Sequence, residues 1–177
     1  IQYGPRSVGR RTDRTIPSLD DALLKSLSKL PDRAPARILC FLEAETPHPA
    51  QVTTGTLGLN ATKSCQLLVD LVRCASELST TRDIRIWVVT RESQPFESAD
   101  GISESRLAES VAWGLGRTIA TEHPDLFGGL IDIDCEPNDK TSDSLIDQVL
   151  LGTPQSSLRT GQTNVPRLHP IHVDTQQ

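Results

Sequence analysis

One stretch, Ser103 to Asp134, limits the possible folds more than any other part of the chain: SESRLAESVAWGLGRTIATEHPDLFGGLIDID. Leu107, Val111, Leu115 and Ile119 recur every four residues, a spacing that predicts a helix with one apolar stripe. Ser103 or Ser105 can cap its start, and Pro124 forbids its continuation past His123. Gly128-Gly129 then reads as a turn into Leu130-Ile131-Asp132-Ile133, a strand apolar enough to be covered on both faces. A helix, a proline stop and a buried strand in that order indicate an α/β protein.

The rest of the chain repeats the alternation. Ser18 can cap a short helix bearing Leu19, Leu23, Leu27 and Leu30, which Pro31 ends. Arg37 to Leu42 is a compact apolar run and the first expected strand. A loop over Glu45 to Asn60 leads to a helix over Thr62 to Leu78, with Leu67, Leu68, Leu71, Ala75 and Leu78 as its stripe. Ile84 to Val89, rich in β-branched residues, is the second strand, and Glu92 to Ile102 is a polar loop. Beyond the Glu136–Lys140 turn, Thr141 or Ser142 can cap a last helix carrying Leu145, Ile146, Val149 and Leu150, with Gly152 as terminator. Residues 153–162 read as loop. Asn164 to Leu168 can be extended, but Pro166 and Pro170 confine it to a sheet edge. Strand-helix alternation of this kind predicts a small, mainly parallel sheet with helices on both faces and right-handed crossovers.

Composition excludes several function classes. At 177 residues and formal charge -5, the chain is long enough for one domain and has no global field to recruit nucleic acid. The only basic cluster is Arg6, Arg10, Arg11 and Arg14; a phosphate- or partner-binding arm is one reading, a solvated tail the simpler one. No apolar run approaches the ~20 residues of a membrane span, and no signal peptide opens the chain, so the expected compartment is the cytoplasm. Methionine is absent even at residue 1, which suggests a piece of a longer polypeptide. Cys40, Cys65, Cys74 and Cys135 form no Cys-x-x-Cys pair, and free thiols in a reducing compartment are the default expectation.

Candidate chemistry is mostly negative. A nucleotide site needs a glycine turn directly after the first strand. The nearest candidate, Thr54-Gly55-Thr56-Leu57-Gly58-Leu59-Asn60, stands about a dozen residues too late and lacks the Gly-x-Gly-x-x-Gly spacing. Gly114-Leu115-Gly116 lies inside a helix, where each glycine costs about 1 kcal/mol relative to alanine, so close approach of another element is the expected reason. Short-chain reductase chemistry needs a tyrosine acid, and the single tyrosine is Tyr3, in the expected linker. His169 and His172 look like a metal pair without acidic or thiol partners nearby, and surface histidines are the simpler account. His123 stands at a helix end, where its imidazole could meet terminal carbonyls. Asp132 and Asp134 share a strand face and could be paired carboxylates, or simply exposed residues at a strand end. No Gly-x-Ser-x-Gly elbow occurs.

The segment Trp113-Gly-Leu-Gly-Arg-Thr-Ile-Ala-Thr-Glu-His-Pro-Asp-Leu-Phe-Gly-Gly-Leu-Ile-Asp132 closely resembles the ketoreductase region of modular type I polyketide synthases, in its amino-terminal structural half. Arg37 to Leu42, Leu71-Val72, Ile86 to Thr90 and Val165-Pro-Arg-Leu168 agree in order, so the resemblance covers about residues 35 to 170. Phe127 stands where the family often has tryptophan. The resemblance implies a truncated Rossmann-like fold, with a linker or edge segment at 1–17, the structural subdomain at 18–170 and a tail at 171–177. It implies no catalytic, cofactor-binding or metal residue in this segment, and NADPH bound by the catalytic half of the parent. Trp113, Gly114, Gly116, Arg117, His123, Pro124, Gly128 and Gly129 become the packing or interface candidates. Implied partners are that catalytic half and neighbouring enoylreductase or dehydratase domains of a homodimeric synthase, with neither nucleic acid nor membrane. Two readings stay open: a non-catalytic scaffold of a live ketoreductase or pseudo-ketoreductase, and a free-standing small oxidoreductase or ligand-binding module.

Overall fold

The computed structural model describes residues 19–31, 33–42, 53–95, 107–134 and 139–167. Among the described residues nine elements follow one another: α1 (Leu19–Leu27), β1 (Ala36–Phe41), α2 (Thr54–Ser79), β2 (Ile84–Arg91), α3 (Leu107–Glu122), β3 (Phe127–Ile133), α4 (Asp139–Leu151), β4 (Gln155–Arg159) and β5 (Gln162–Asn164). The five strands form one sheet in the order β1-β2-β3-β4-β5, parallel except for the antiparallel pair β4–β5. The expected α/β class, the parallel sheet and the helices on both faces are all present.

Several local expectations need correction, each for an identifiable reason. Helix α2 begins at Thr54 rather than near Thr62, because Thr53 and Thr56 form a reciprocal capping box. The glycine segment Thr54–Asn60 is therefore the first turns of a helix and not a loop. Helix α1 stops at Leu27, leaving Leu30 outside it. On α3 the buried side is Ala108, Ala112, Trp113, Gly116 and Ile119, whereas Leu107 and Val111 are about half exposed. Small residues, Ala108, Ala112 and Gly116, together with Trp113 thus displace most of the expected stripe by one position. On α4, Thr141 is buried inside the helix rather than capping it, and Leu145 packs while Ile146 and Leu150 face outward. Gly152 does terminate α4, with φ of 68° and its N–H donated to the Gln148 carbonyl at 3.0 Å.

The segment expected to be loop, 153–162, contains β4. Its sequence QSSLR places one large apolar side chain, Leu158, in the core, too weak a periodic signal to read as a strand. Thr160 and Gly161 both take positive φ, 50° and 78°, and join β4 to β5 as a two-residue hairpin turn.

The core has two layers. Helices α2 and α3 cover Cys40, Ile84, Ile86, Val88 and Leu130 on one face. Helix α4 covers Trp87, Val89, Ile131, Ile133 and Leu158 on the other. The strands advance in one direction throughout, so the β3–α4–β4 crossover has the opposite hand to the two before it. Uniformly right-handed crossovers do not occur here. The α3-side face of β4 carries Gln155, Ser157 and Arg159, so a helix laid there would find no apolar partner, whereas Leu158 faces α4. Burial pushes the Cys40 thiol up from 9.0 to about 12, which keeps it protonated and unreactive near neutral pH.

Candidate functional site

The chain passes from β2 to α3 on one face of the sheet and from β3 to α4 on the other. Adjacent connections diverging in this way open a gap at the carboxyl ends of β2 and β3, the place where doubly wound sheets hold their ligands. Here the gap is filled by the chain itself. Asp132 is fully buried, contrary to the simpler expectation of an exposed strand end. Its Oδ1 accepts hydrogen bonds from Thr90 Oγ1 at 2.6 Å, Ser93 N at 3.0 Å and Ser93 Oγ at 3.0 Å. Its Oδ2 accepts from Gln94 N at 3.2 Å and pairs with the Arg159 guanidinium.

The network continues outward. Trp113 Nε1 donates to Thr90 Oγ1 at 2.9 Å, so the helix and two strands meet at one hydroxyl. Arg159 Nη1 donates to the Asp132 carbonyl at 2.9 Å, and Thr160 N donates to Asp134 Oδ2 at 2.6 Å. Glu109, also buried, accepts the Arg91 N–H at 2.9 Å. A carboxylate with this many donors is saturated, and it has no lone pair positioned to act on a substrate. Beside the network lies a shallow hollow lined by Phe41, Leu42, Val89, Thr90, Arg91 and Ile133. Its cavity volume is about 10 Å³, far below the ~300 Å³ at which ligand pockets begin. Among the described residues, no group of three or more His, Cys, Asp and Glu could hold a metal ion. His169, His172 and Tyr3 lie outside the described residues.

The eight packing candidates divide by position. Trp113 is buried in the network. Gly116 faces Leu130, and a Cβ there would overlap Leu130 Cδ2 and stand 3.3 Å from its Cγ. Gly128 and Gly129 are not a turn: both lie within β3, where Ile86 pairs with Phe127 but Trp87 pairs with Gly129. This irregularity is a bulge that seats the Trp87 indole against two residues without side chains. Gly114 is exposed with nothing within 4 Å of a Cβ, which corrects the expectation that it packs. Arg117 lies over the Trp113 ring at 5.8 Å and reaches Gln155 Oε1 at 3.3 Å. The side chains of His123 and Pro124 are exposed, and it is the backbone of His123 that closes α3, donating to the Ile119 carbonyl at 2.8 Å.

The two glycines should therefore respond oppositely to substitution. Gly114→Ala is expected to raise stability by about 0.5–1 kcal/mol by removing the helical cost of glycine at an exposed site. Gly116→Leu is expected to lower it by about 1–3 kcal/mol through overpacking against Leu130. Thermal melts of both variants check the pair.

Comparison with known proteins accords with this geometry. The family described as the polyketide synthase extender module SpnB, Rossmann fold domain, matches residues 7–168. The chain belongs to that family. It is a Rossmann-like subdomain of a polyketide synthase ketoreductase region. A solved C2-type ketoreductase from a modular polyketide synthase superposes with a TM-score of 0.56 at 26% identity, over 82% of this chain and 29% of that one. The 5-methyl-1-naphthoate synthase of Streptomyces sahachiroi is 39% identical over 87 residues, 48% of this chain and 5% of the synthase. A phenolphthiocerol/phthiocerol polyketide synthase of Mycobacterium tuberculosis is 32% identical over 100 residues, 53% of this chain and 6% of that polypeptide. The chain thus spans a small part of each multienzyme that it matches. None of its described helices is long and apolar enough to cross a membrane.

Proposed function

We propose that this subdomain is a non-catalytic scaffold: it packs on and stabilises the NADPH-binding catalytic half of a ketoreductase, or of a pseudo-ketoreductase, and organises the reducing part of the synthase module. The observation that carries this reading is the filled gap at the carboxyl edge of the sheet. Asp132, Arg159, Thr90, Ser93 and Trp113 satisfy one another's polar groups at the carboxyl ends of β2 and β3, which leaves Asp132 no spare acceptor to offer a cofactor. The sole tyrosine, Tyr3, stands far along the chain from every strand end, which adds weight to the reading. Gly114, Arg117, His123 and Pro124 are the members of the candidate set accessible to a partner half; the other four are engaged in internal packing.

A fluorescence titration with NADPH tests the proposal. The 177-residue chain is expected to give no micromolar binding, whereas the same chain extended through the remainder of its parent ketoreductase region is expected to bind. Micromolar binding by the shorter chain would overturn the scaffold reading.

A further inference from the structure

The β4–β5 hairpin is attached to the sheet far more sparsely than the other strands. It pairs with β3 over only three positions, Leu130–Asp132 against Gln155–Ser157, whereas β1–β2 and β2–β3 each register over six. Leu158 is its one large apolar side chain in the core, and the residues of β5 are largely solvent-exposed. Segments with few buried apolar contacts open at lower free energy than the body of a protein. Beyond that short ladder and Leu158, the contacts that oppose opening are polar and centre on Arg159. The Arg159 side chain, 12% exposed, spans from β4 to the Asp132 carboxylate and carbonyl on β3 and to the Gln94 carbonyl at 3.4 Å in the β2–α3 loop. Its Nε stands 3.9 Å from Asp134 Oδ1, and the next residue, Thr160, donates its N–H to Asp134 Oδ2. These bonds join the hairpin end to β3, to Asp134 just past it and to the β2–α3 loop; Arg159 Nη1 also donates within the hairpin, to the Leu158 carbonyl at 3.1 Å.

We propose that Arg159 is a latch: it holds the β4–β5 hairpin, as a unit, against β3 and the β2–α3 loop, and its release frees that hairpin while leaving the β1–β3 core folded. The chain continues from β5 through residues 165–167, so the latch also fixes the direction in which the polypeptide leaves the sheet. The inference rests on this packing alone and is independent of the scaffold reading.

Residue-resolved hydrogen exchange on the full chain tests it. In Arg159→Met, hairpin amides, that of Thr160 among them, are expected to exchange roughly 100-fold faster, and β2 amides to accelerate by no more than that, because the variant raises the closed state relative to both the hairpin-open and the unfolded chain. Asp134→Asn, which loosens the outer contacts but keeps the buried pair, is expected to accelerate the same amides by a smaller factor. It serves as the reporter should Arg159→Met fail to fold. Leu68→Ala, a core change on α2, is expected to accelerate β2 amides through global unfolding while leaving the hairpin amides unchanged, because the closed and hairpin-open states share that core. Hairpin amides that accelerate together with β2 amides in Leu68→Ala, or that stay unchanged in both latch variants, would overturn the latch.

Discussion

Gly128→Val is expected to cost about 3 kcal/mol or somewhat more, the upper end of overpacking penalties. A Cβ at Gly128 would overlap Cδ2 and Cε3 of the Trp87 ring and fall 2.6 Å from Cε2. The ring is rigid and 2% exposed, so it has no rotamer into which to retreat. The adjacent Gly129 adds a backbone limit, since a Cβ there would approach the Thr153 carbonyl oxygen to 2.7 Å. Trp87→Leu should cost several kcal/mol alone through its cavity, yet it should partly rescue Gly128→Val by clearing the space. Urea denaturation of the two single variants and the double variant measures the coupling. Strictly additive losses would show that the bulge and the indole are independent.

Asp132→Ala is the second large effect, with an expected loss of about 3–5 kcal/mol. The substitution takes away the buried carboxylate that pairs with the Arg159 guanidinium and leaves the Ser93 and Gln94 N–H groups without their acceptor. It also removes the group that accepts from the Thr90 hydroxyl, which Trp113 in turn contacts. Because β2, β3, α3 and β4 all meet there, the loss should appear as a lower midpoint for the whole molecule. Chemical denaturation followed by circular dichroism measures it. An Asp132→Ala midpoint within the spread of surface variants would mean that the buried carboxylate stabilises nothing.

How much of this was legible in the sequence depends on which residues carry it. Strands β1, β2 and β3 announce themselves, because Arg37–Leu42, Ile84–Val89 and Leu130–Ile133 are apolar on both faces. The start of α2 was hidden because Gly55 and Gly58 look like loop residues, and the capping pair Thr53 and Thr56 outweighed them. Strand β4 was hidden because its side chains are mostly polar. The useful signal was the pair Thr160-Gly161 between Leu158 and Thr163, which fits a two-residue hairpin. The buried pair was hidden for a related reason: Arg159 stood in what read as loop, so nothing in the linear pattern supplied Asp132 with a counter-charge. The expectation of no nucleotide site rests on a missing glycine turn and a single tyrosine distant in the chain, both visible without coordinates.

The order β1-β2-β3-β4-β5 in space is the order of synthesis. A nascent polypeptide emerging from the ribosome meets each new strand with its neighbour already made, and no strand has to wait for a later one to separate two earlier ones. Domains complete themselves amino-terminus first during translation. In a multienzyme this subdomain can therefore stand finished before the residues downstream of it have left the exit tunnel.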